Sequence, residues 1–501
     1  MFRLSHLITA VVSSLFIYST SLEARTVTIG SKKFTESVIL GEISRIGLEA
    51  EGVSARHLAE LGGTRILWNA LLSGDIDTYP EYTSTIQTEL LKRQFTDLND
   101  MREALKEIGI GMGEPLGFNN TYALGMTKAR ARELRIEKIS DLQNHPNIKI
   151  GWGDEFRRRN DGWPGLKATY RLPQRLVRGL DHDIAYRALQ SGDIDLKDLY
   201  STDAEIQYYD LKVLEDDLQY FPRYEAIFLY RLDTARELPK LGAFLRQLEG
   251  RISEDLMITM NRRAKVEKTS SSDIATDFLN QTLNLGLKEE IAGRWERLYV
   301  RTVEHLHLVT LSLSIAILLA IPLGVLAAKK PLIGRFIIWG TGGIQTIPSL
   351  ALLVILIKPL NMLGLTGIGD TPALIALFLY SLLPIVRGTH SGFLQIPLSL
   401  RETASVLGLS KKTQLLRIDL PLALPSILSG IKTAAVMNVG FATLGALIGA
   451  GGYGQPILAG IRLDDYQLIL EGAIPSALMA LVVQQVFDTS EKYLVSPGLR
   501  K

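Results

Sequence analysis

The chain has 501 residues, 22% of them charged, with a net charge of +2 and no cysteine. That length is too great for one compact core, the near-neutral charge gives no footing for nucleic acid, and the lack of thiols excludes disulfides and thiolate metal sites. A mean hydropathy of +0.14 beside so much charge describes an average over two unlike halves.

In chain order, Arg3 precedes an apolar run, Leu7 to Tyr18, and small residues that lead to Ala24. This is the shape of a secretory signal over residues 1–24, cleaved or kept as an anchor, so the chain beyond Ala24 is expected outside the cytoplasm. Residues 25–286 alternate β-rich runs (Thr26–Gly30, Ile148–Gly151, Ala226–Tyr230) with helical segments (Phe34–Leu48, Leu238–Gly250). The alternation predicts a two-lobed α/β binding fold, type II-like, with a ligand between the lobes. Lobe 1 is expected at about 25–115 and 225–286, and lobe 2 at about 116–224.

After a linker at 287–305, residues 306–495 read as an all-α membrane domain. Charge-free stretches at Leu308–Ala328, Phe336–Ile357, Thr371–Val386, Thr433–Ile461 and Gly472–Phe487 predict about five spans, with Pro348, Pro384 and Gly440 tolerated inside them. Lys329, Lys330 and Arg335 fall between the first two spans, and Arg387, Arg401, Lys411, Lys412 and Arg417 between the third and fourth. With Arg500 and Lys501 at the end, these loops are expected in the cytoplasm, which again leaves the α/β domain outside.

The loop Arg401–Pro421 resembles the permease signature of ABC importers, E-A-A-x3-G-x9-I-x-L-P: Glu402, Ala404, Gly408, Ile418, Leu420 and Pro421 fall on it, and Thr403 replaces one alanine. A helix ending at Gly408 and a second one running to a break at Pro421 form a rigid helix-turn-helix that can sit in an ATPase groove. The resemblance implies a cytoplasmic ATPase partner and a homodimer of this chain. No G-x-x-x-x-G-K-[ST] occurs, so the nucleotide site is expected on another polypeptide. Gly449–Gly454 matches G-x-G-x-x-G, but it comes after a membrane span and reads as a close-packing or hinge segment.

The α/β part resembles the quaternary-ammonium binding proteins of osmoprotectant uptake systems (glycine betaine, choline, carnitine), with ergothioneine binders as near relatives. The segments that carry this include Gly30–Glu36, Leu61–Thr64, Gly74–Thr83, Asn119–Ala123, Glu155-Phe156, Gly192–Asp195, Tyr200–Asp203 and Phe221-Pro222. A trimethylammonium group donates no hydrogen bond and is best held by aromatic faces. Tyr82, Tyr122, Tyr200 and Tyr220 or Tyr224 are the expected cage, with Tyr79 facing the core instead. Thr35, Thr64, Thr83, Thr85 and Asn120 are expected to serve the ligand's polar end, Arg159 to pair with a carboxylate, and Glu36 and Asp203 to attract the cation or act at a hinge or cap.

The seven histidines are scattered, and Asp193, Asp195 and Asp198 lack the frame of a calcium loop. The expectation is a transporter subunit in the inner membrane, with no enzyme, metal or cofactor of its own; a ligand-sensing receptor on the same fold is the distant alternative.

The charge-derived topology is tested with a reporter active only outside the cytoplasm. Fused after Asp370 it is expected to be active, and near Lys412 silent; the reverse pattern refutes the topology.

Overall fold

The computed structural model describes residues 25–288 and 294–496; the expected signal over 1–24 and the terminal Arg500 and Lys501 lie outside the described residues. The chain divides into two compact units. One comprises 25–288 with the short segment Ala459–Tyr466, and the other comprises 294–458 and 467–496.

The first unit holds two five-stranded sheets of the same plan. The first sheet takes β1 (Val27–Gly30), β2 (Ala55–Leu58), β3 (Thr78–Tyr82), β4 (Ile110–Met112) and β10 (Ala226–Arg231), in the order β2-β1-β3-β10-β4. The second takes β5 (Tyr122–Thr127), β6 (Ile150–Gly153), β7 (Val177–Leu180), β8 (Leu196–Tyr200) and β9 (Leu211–Val213), in the order β7-β6-β8-β5-β9. In each sheet two parallel pairs give way to antiparallel ones at the strand that has crossed from the other lobe. That order is the type II arrangement expected from the alternation.

Pro80 lies inside β3, where its missing N–H would break a ladder on both sides. It is accommodated because β1 pairs with β3 only at Thr78, and Pro80 faces Phe228 of β10. The strand's far end is therefore left at the mouth between the lobes, with Tyr82 last.

Two segments cross between the lobes and bind each other. Asn119 bridges Glu225, the Asn120 N–H donates to Tyr224 O at 3.0 Å, and the Tyr224 N–H donates to Asn119 Oδ1 at 2.7 Å. The lobes also touch away from the crossing: the Thr64 N–H donates to Glu155 Oε1 at 3.0 Å, and Thr88 Oγ1 to Asp161 Oδ2 at 2.8 Å. Helices α1 (Thr35–Ala50), α2 (His182–Ser191) and α3 (Glu254–Lys265) flank the cleft.

The second unit is helical: α4 (Arg294–Lys329), α5 (Pro331–Thr346), α6 (Ser349–Met362), α7 (Asp370–Leu394), α8 (Leu398–Val406), α9 (Leu420–Ala442) and α10 (Tyr466–Leu494). Among the described residues four helices are long and apolar enough to cross a membrane, or five if the pair α5 and α6 counts as one span.

Two expected spans are corrected. Phe336–Ile357 is not one helix: α5 and α6 meet at a 102° bend, because Pro348 holds Ile347 extended and cannot supply the next helical N–H. Thr433–Ile461 is not the fourth span either. The helical path runs Lys411–Ile448 and stops at Gly449, whose φ is +79°, so the apolar residues beyond it belong to a turn and then to a separate short helix, Gly454–Leu463.

Helix α7 is the centre of this unit, and small residues let its neighbours approach. A Cβ on Gly430 of α9 would lie 2.5 Å from Pro384 O of α7, and one on Gly324 of α4 would lie 2.5 Å from Thr389 Cβ. Asn438, fully buried on α9, donates to Ser381 Oγ of α7 at 2.8 Å and to Ser312 Oγ of α4 at 3.2 Å. Gly451 and Gly452 turn in the left-handed region against α4, where Glu304 Oε2 accepts the Gly452 N–H at 2.8 Å. The G-x-G-x-x-G motif thus makes a close-packed turn.

Gly430→Leu is expected to lower the thermal midpoint of the detergent-solubilised chain through a clash costing about 1–3 kcal/mol. Gly440→Ala is the control, since a Cβ there meets nothing within 4 Å. Equal midpoints for the two variants would dismiss the seam.

Candidate functional site

Between the lobes lies a cavity of about 260 Å³. Its aromatic lining comes from separate elements: Phe34 just before α1, Tyr82 at the end of β3, Tyr122 at the start of β5, Phe156 after β6, Tyr200 at the end of β8, and Tyr224 on the second crossing segment. Strand ends bring them together, since parallel strands of both sheets point their carboxyl ends at the cleft.

The rings form a continuous wall. Centroids are 5.4 Å apart for Phe34–Tyr200, 5.4 Å for Tyr122–Tyr200 and 5.0 Å for Tyr122–Phe156, and Tyr224 stands edge-on to Tyr122 at 5.6 Å. Tyr82 and Tyr224 are oriented through their hydroxyls, which donate to Glu36 and to Asp161 respectively.

Each of three cage tyrosines already carries a protein cation. Lys32 Nζ sits 5.3 Å from the Tyr82 centroid, Arg159 Cζ 5.7 Å from that of Tyr122, and the His182 ring is stacked on Tyr200 at 4.3 Å. Every one has a carboxylate behind it. Lys32 pairs with Glu81, and Arg159 holds Asp161 through Nε at 2.8 Å and Nη2 at 2.5 Å. His182 lies between Asp198 (Nδ1, 3.3 Å) and Asp203 (Nε2, 3.0 Å). Among the described residues, Arg159 Nη1 has Glu155 Oε2 as its ion-pair partner, at 4.0 Å.

Beside the cavity, Glu36 at the start of α1 is almost wholly buried. Its carboxylate accepts from Tyr82 Oη, Asn120 Nδ2 (2.9 Å), Thr202 Oγ1 (2.6 Å) and Asn261 Nδ2 (3.5 Å). Burial dominates and raises its pKa to about 7; the hydrogen bonds from Thr202, Tyr82 and Asn120 oppose that rise, and Asp203 adds to it. His182 moves the other way from what its burial alone dictates. Burial and Lys197 push its pKa down, yet Asp203 and Asp198 outweigh them and raise it to about 9.

Of the residues expected at the site, Tyr82, Tyr122, Tyr200, Tyr224, Thr85, Asn120 and Arg159 line the cavity. Tyr220 does not: its hydroxyl donates to Asn160 O and Gly162 O. Thr35, Thr64 and Thr83 are also away from the lining, Thr64 being used on Glu155 and Thr83 on the Arg223–Glu225 backbone. Glu36 and Asp203 are not among the residues lining the cavity: both Glu36 oxygens accept from protein donors, and Asp203 Oδ2 accepts from His182 and the Tyr200 N–H. Tyr79 is in the core, bonded to Glu81.

Sequence reasoning missed Lys32, Phe34, Phe156 and His182. Lys32 and Phe34 lie in Gly30–Glu36 and Phe156 in Glu155-Phe156, segments already singled out, so adjacency was the available signal. Nothing local marks His182, which reaches the cleft only through the packing of α2 on β8.

In the membrane unit, α8 ends and Gly408 comes next but one at φ +71°, as the spacing implied. Ala404 is buried and Glu402 exposed, while Val406 is 88% exposed. Arg401 ties α8 to α7 and to the foot of α9 through Phe393 O (2.9 Å) and Asp419 (3.4 Å). The break expected at Pro421 is not there. A widened turn over Leu415–Asp419 leads directly into α9, and it lies just before Pro421, where it accommodates the missing N–H inside a continuous helical path. Ile418 and Leu420 lie on that continuous path.

A cleft of aromatic faces between two lobes of type II topology, joined in one chain to a multi-pass helical unit, defines a solute-binding protein fused to a membrane permease. Residues 25–281 match the family described as the substrate-binding domain of ABC-type glycine betaine transport systems, and residues 320–497 match the inner-membrane component of binding-protein-dependent transport systems; the chain belongs to both.

It is 33% identical over 267 residues to the ergothioneine transport permease/ergothioneine binding protein EgtU of Helicobacter pylori, covering 52% of this chain and 48% of that one. The chain thus spans about half the length of that relative. It is 39% identical over 199 residues to the osmoprotectant import permease protein OsmW of Salmonella typhimurium, covering 40% of this chain and 92% of that one. A crystal structure described as a glycine betaine/carnitine/choline ABC transporter is 30% identical, with a TM-score of 0.44, over 52% of this chain and 99% of that one.

The raised pKa of Glu36 has a signed consequence. A carboxyl whose folded pKa of about 7 exceeds its usual 4.5 stabilises the fold fully below about pH 4.5 and loses that contribution as pH rises through 7. Between pH 5 and 7 the parent's stability, followed by its thermal midpoint, is expected to fall relative to Glu36→Gln, by about 1.4 kcal/mol per pH unit at most, and to level off above pH 7. Parallel curves for the two proteins would remove the assignment.

Proposed function

We propose that the chain is the binding and permease subunit of an ATP-driven importer for a quaternary-ammonium solute of the glycine betaine, choline or carnitine type. The carrying observation is the continuous aromatic wall of a cavity of about 260 Å³. Methylated ammonium groups offer no hydrogen bond and gain about 0.5–2 kcal/mol per ring face, and Arg159 Nη1 supplies a donor for an anionic end.

In this reading residues 25–286 form the binding domain on the extracytoplasmic side of the inner membrane, and 306–495 the permease, joined by a linker at 287–305. The ligand closes the lobes at the two crossing segments. A separate ATPase engages the exposed surface of α8 and the Gly408 turn, and its movement passes into the bilayer along the continuous Lys411–Ile448 path. Two copies of the chain form the pathway.

A second reading, import of ergothioneine or another zwitterion, is favoured by the likeness to EgtU, whose name states that ligand. It uses the same cage and differs in the ligand's other end.

Calorimetric titration of the full chain tests the cage. Tyr122→Ala and Tyr200→Ala are each expected to weaken glycine betaine binding about five- to thirtyfold, and Tyr122→Phe by less than about twofold. Tyr82→Phe costs more than Tyr122→Phe, because it also removes the bond to Glu36. Affinities of both Ala variants within about twofold of the parent would refute the quaternary-ammonium reading.

A further inference from the structure

Both ring nitrogens of His182 face carboxylate oxygens, Nδ1 that of Asp198 and Nε2 that of Asp203. A carboxylate only accepts, so both nitrogens must carry a proton, and the ring is an imidazolium. Asp198 is further held by the Gly153 N–H at 2.6 Å, and Asp203 by the Tyr200 N–H at 2.9 Å, so neither is free to swing away.

The group lines the cavity and is stacked at 25° on Tyr200, one of the faces that a trimethylammonium would use. Behind it Lys197, wholly buried, lies 3.5 Å from the Tyr186 centroid. The corner therefore sets His182 and Lys197 against Asp198 and Asp203, with Lys265 paired to Asp183 and Glu205 beyond them. Its balance depends on His182.

We propose that His182 is a specificity-determining residue: as a fixed cation stacked on a cage ring, it admits a quaternary ammonium only on a zwitterion and disfavours a ligand of net positive charge. The inference rests on the cage reading of this cavity. A ring already polarised by one cation attracts a second less, so a bare cation loses attraction at the three faces that Lys32, Arg159 and His182 occupy. A ligand carboxylate turns the same three groups into attraction. Replacing His182 by a neutral residue leaves Asp198 and Asp203 one cation short, which pulls a bare cation in.

Glycine betaine and choline share the trimethylammonium and differ in carboxylate against hydroxyl, so they are the probes. The full-length chain in detergent is titrated with each, as parent, His182→Gln and His182→Phe, the last retaining a ring against Tyr200. The parent is expected to prefer glycine betaine, and the betaine-to-choline affinity ratio to fall about tenfold in both variants. A ratio that stays at the parental value in both overturns the proposal, even if both affinities drop, for that is what a structural role produces. Partial misfolding lowers the binding-competent fraction for both ligands alike and leaves the ratio intact. A parent that binds neither probe at millimolar concentration would overturn the cage reading, and this inference with it.

Discussion

The carboxylate of Glu36 is bonded from the cage by Tyr82, from one crossing segment by Asn120, from the second lobe by Thr202, and from α3 by Asn261. A buried carboxylate left without partners is among the costliest groups a protein can hold, so these four bonds are obligatory together. They require the lobes to be in register, because Thr202 reaches Glu36 only when the second lobe is drawn against the first. They also fix the Tyr82 ring. Lobe closure and cage geometry are thereby one problem: whatever opens the lobes also removes a donor from Glu36 and loosens a wall of the cavity.

Within that frame the cavity combines two kinds of surface that ordinarily conflict. Aromatic faces attract cations, yet three of them are occupied by Lys32, Arg159 and His182, each backed by a carboxylate outside the ring wall. A purely apolar box would be simpler to fold. This cavity has its cations paired with carboxylates without a ligand.

The membrane unit solves a different constraint, that of packing helices without a hydrophobic effect between them. Glycines 324, 388 and 430 let backbones meet around α7, and Asn438 crosses the contact with bonds to Ser312 and Ser381. The signature segment is joined to this core without a hinge at Pro421. A displacement at Gly408 thus bears on a single helical path extending to Ile448, not on a loop able to absorb it.

Much of this was legible from residue order. Alternation of β-rich and helical runs gave the two-lobed unit, because strand and helix periods are local properties; the cage candidates Tyr82, Tyr122, Tyr200 and Tyr224 were reachable because they lie in short segments of recognisable pattern. Span boundaries were less so. Absence of charge marks what tolerates lipid, but whether Pro348 bends a helix by 102° and Pro421 leaves one intact depends on the turn preceding each. Tyr220 and Glu36 were expected at the ligand and do not line the cavity, because sequence shows a residue's type and not the direction of its side chain. His182 was invisible, because its charge is made by Asp198 and Asp203, and its place against Tyr200 exists only once α2 packs on β8. Sequence determined what each segment can form, since propensity and hydropathy act over a few neighbours; only the tertiary structure decided which groups are buried together, and burial is what turns a tyrosine into a cage wall, a glutamate into a tie between lobes and a histidine into a fixed charge.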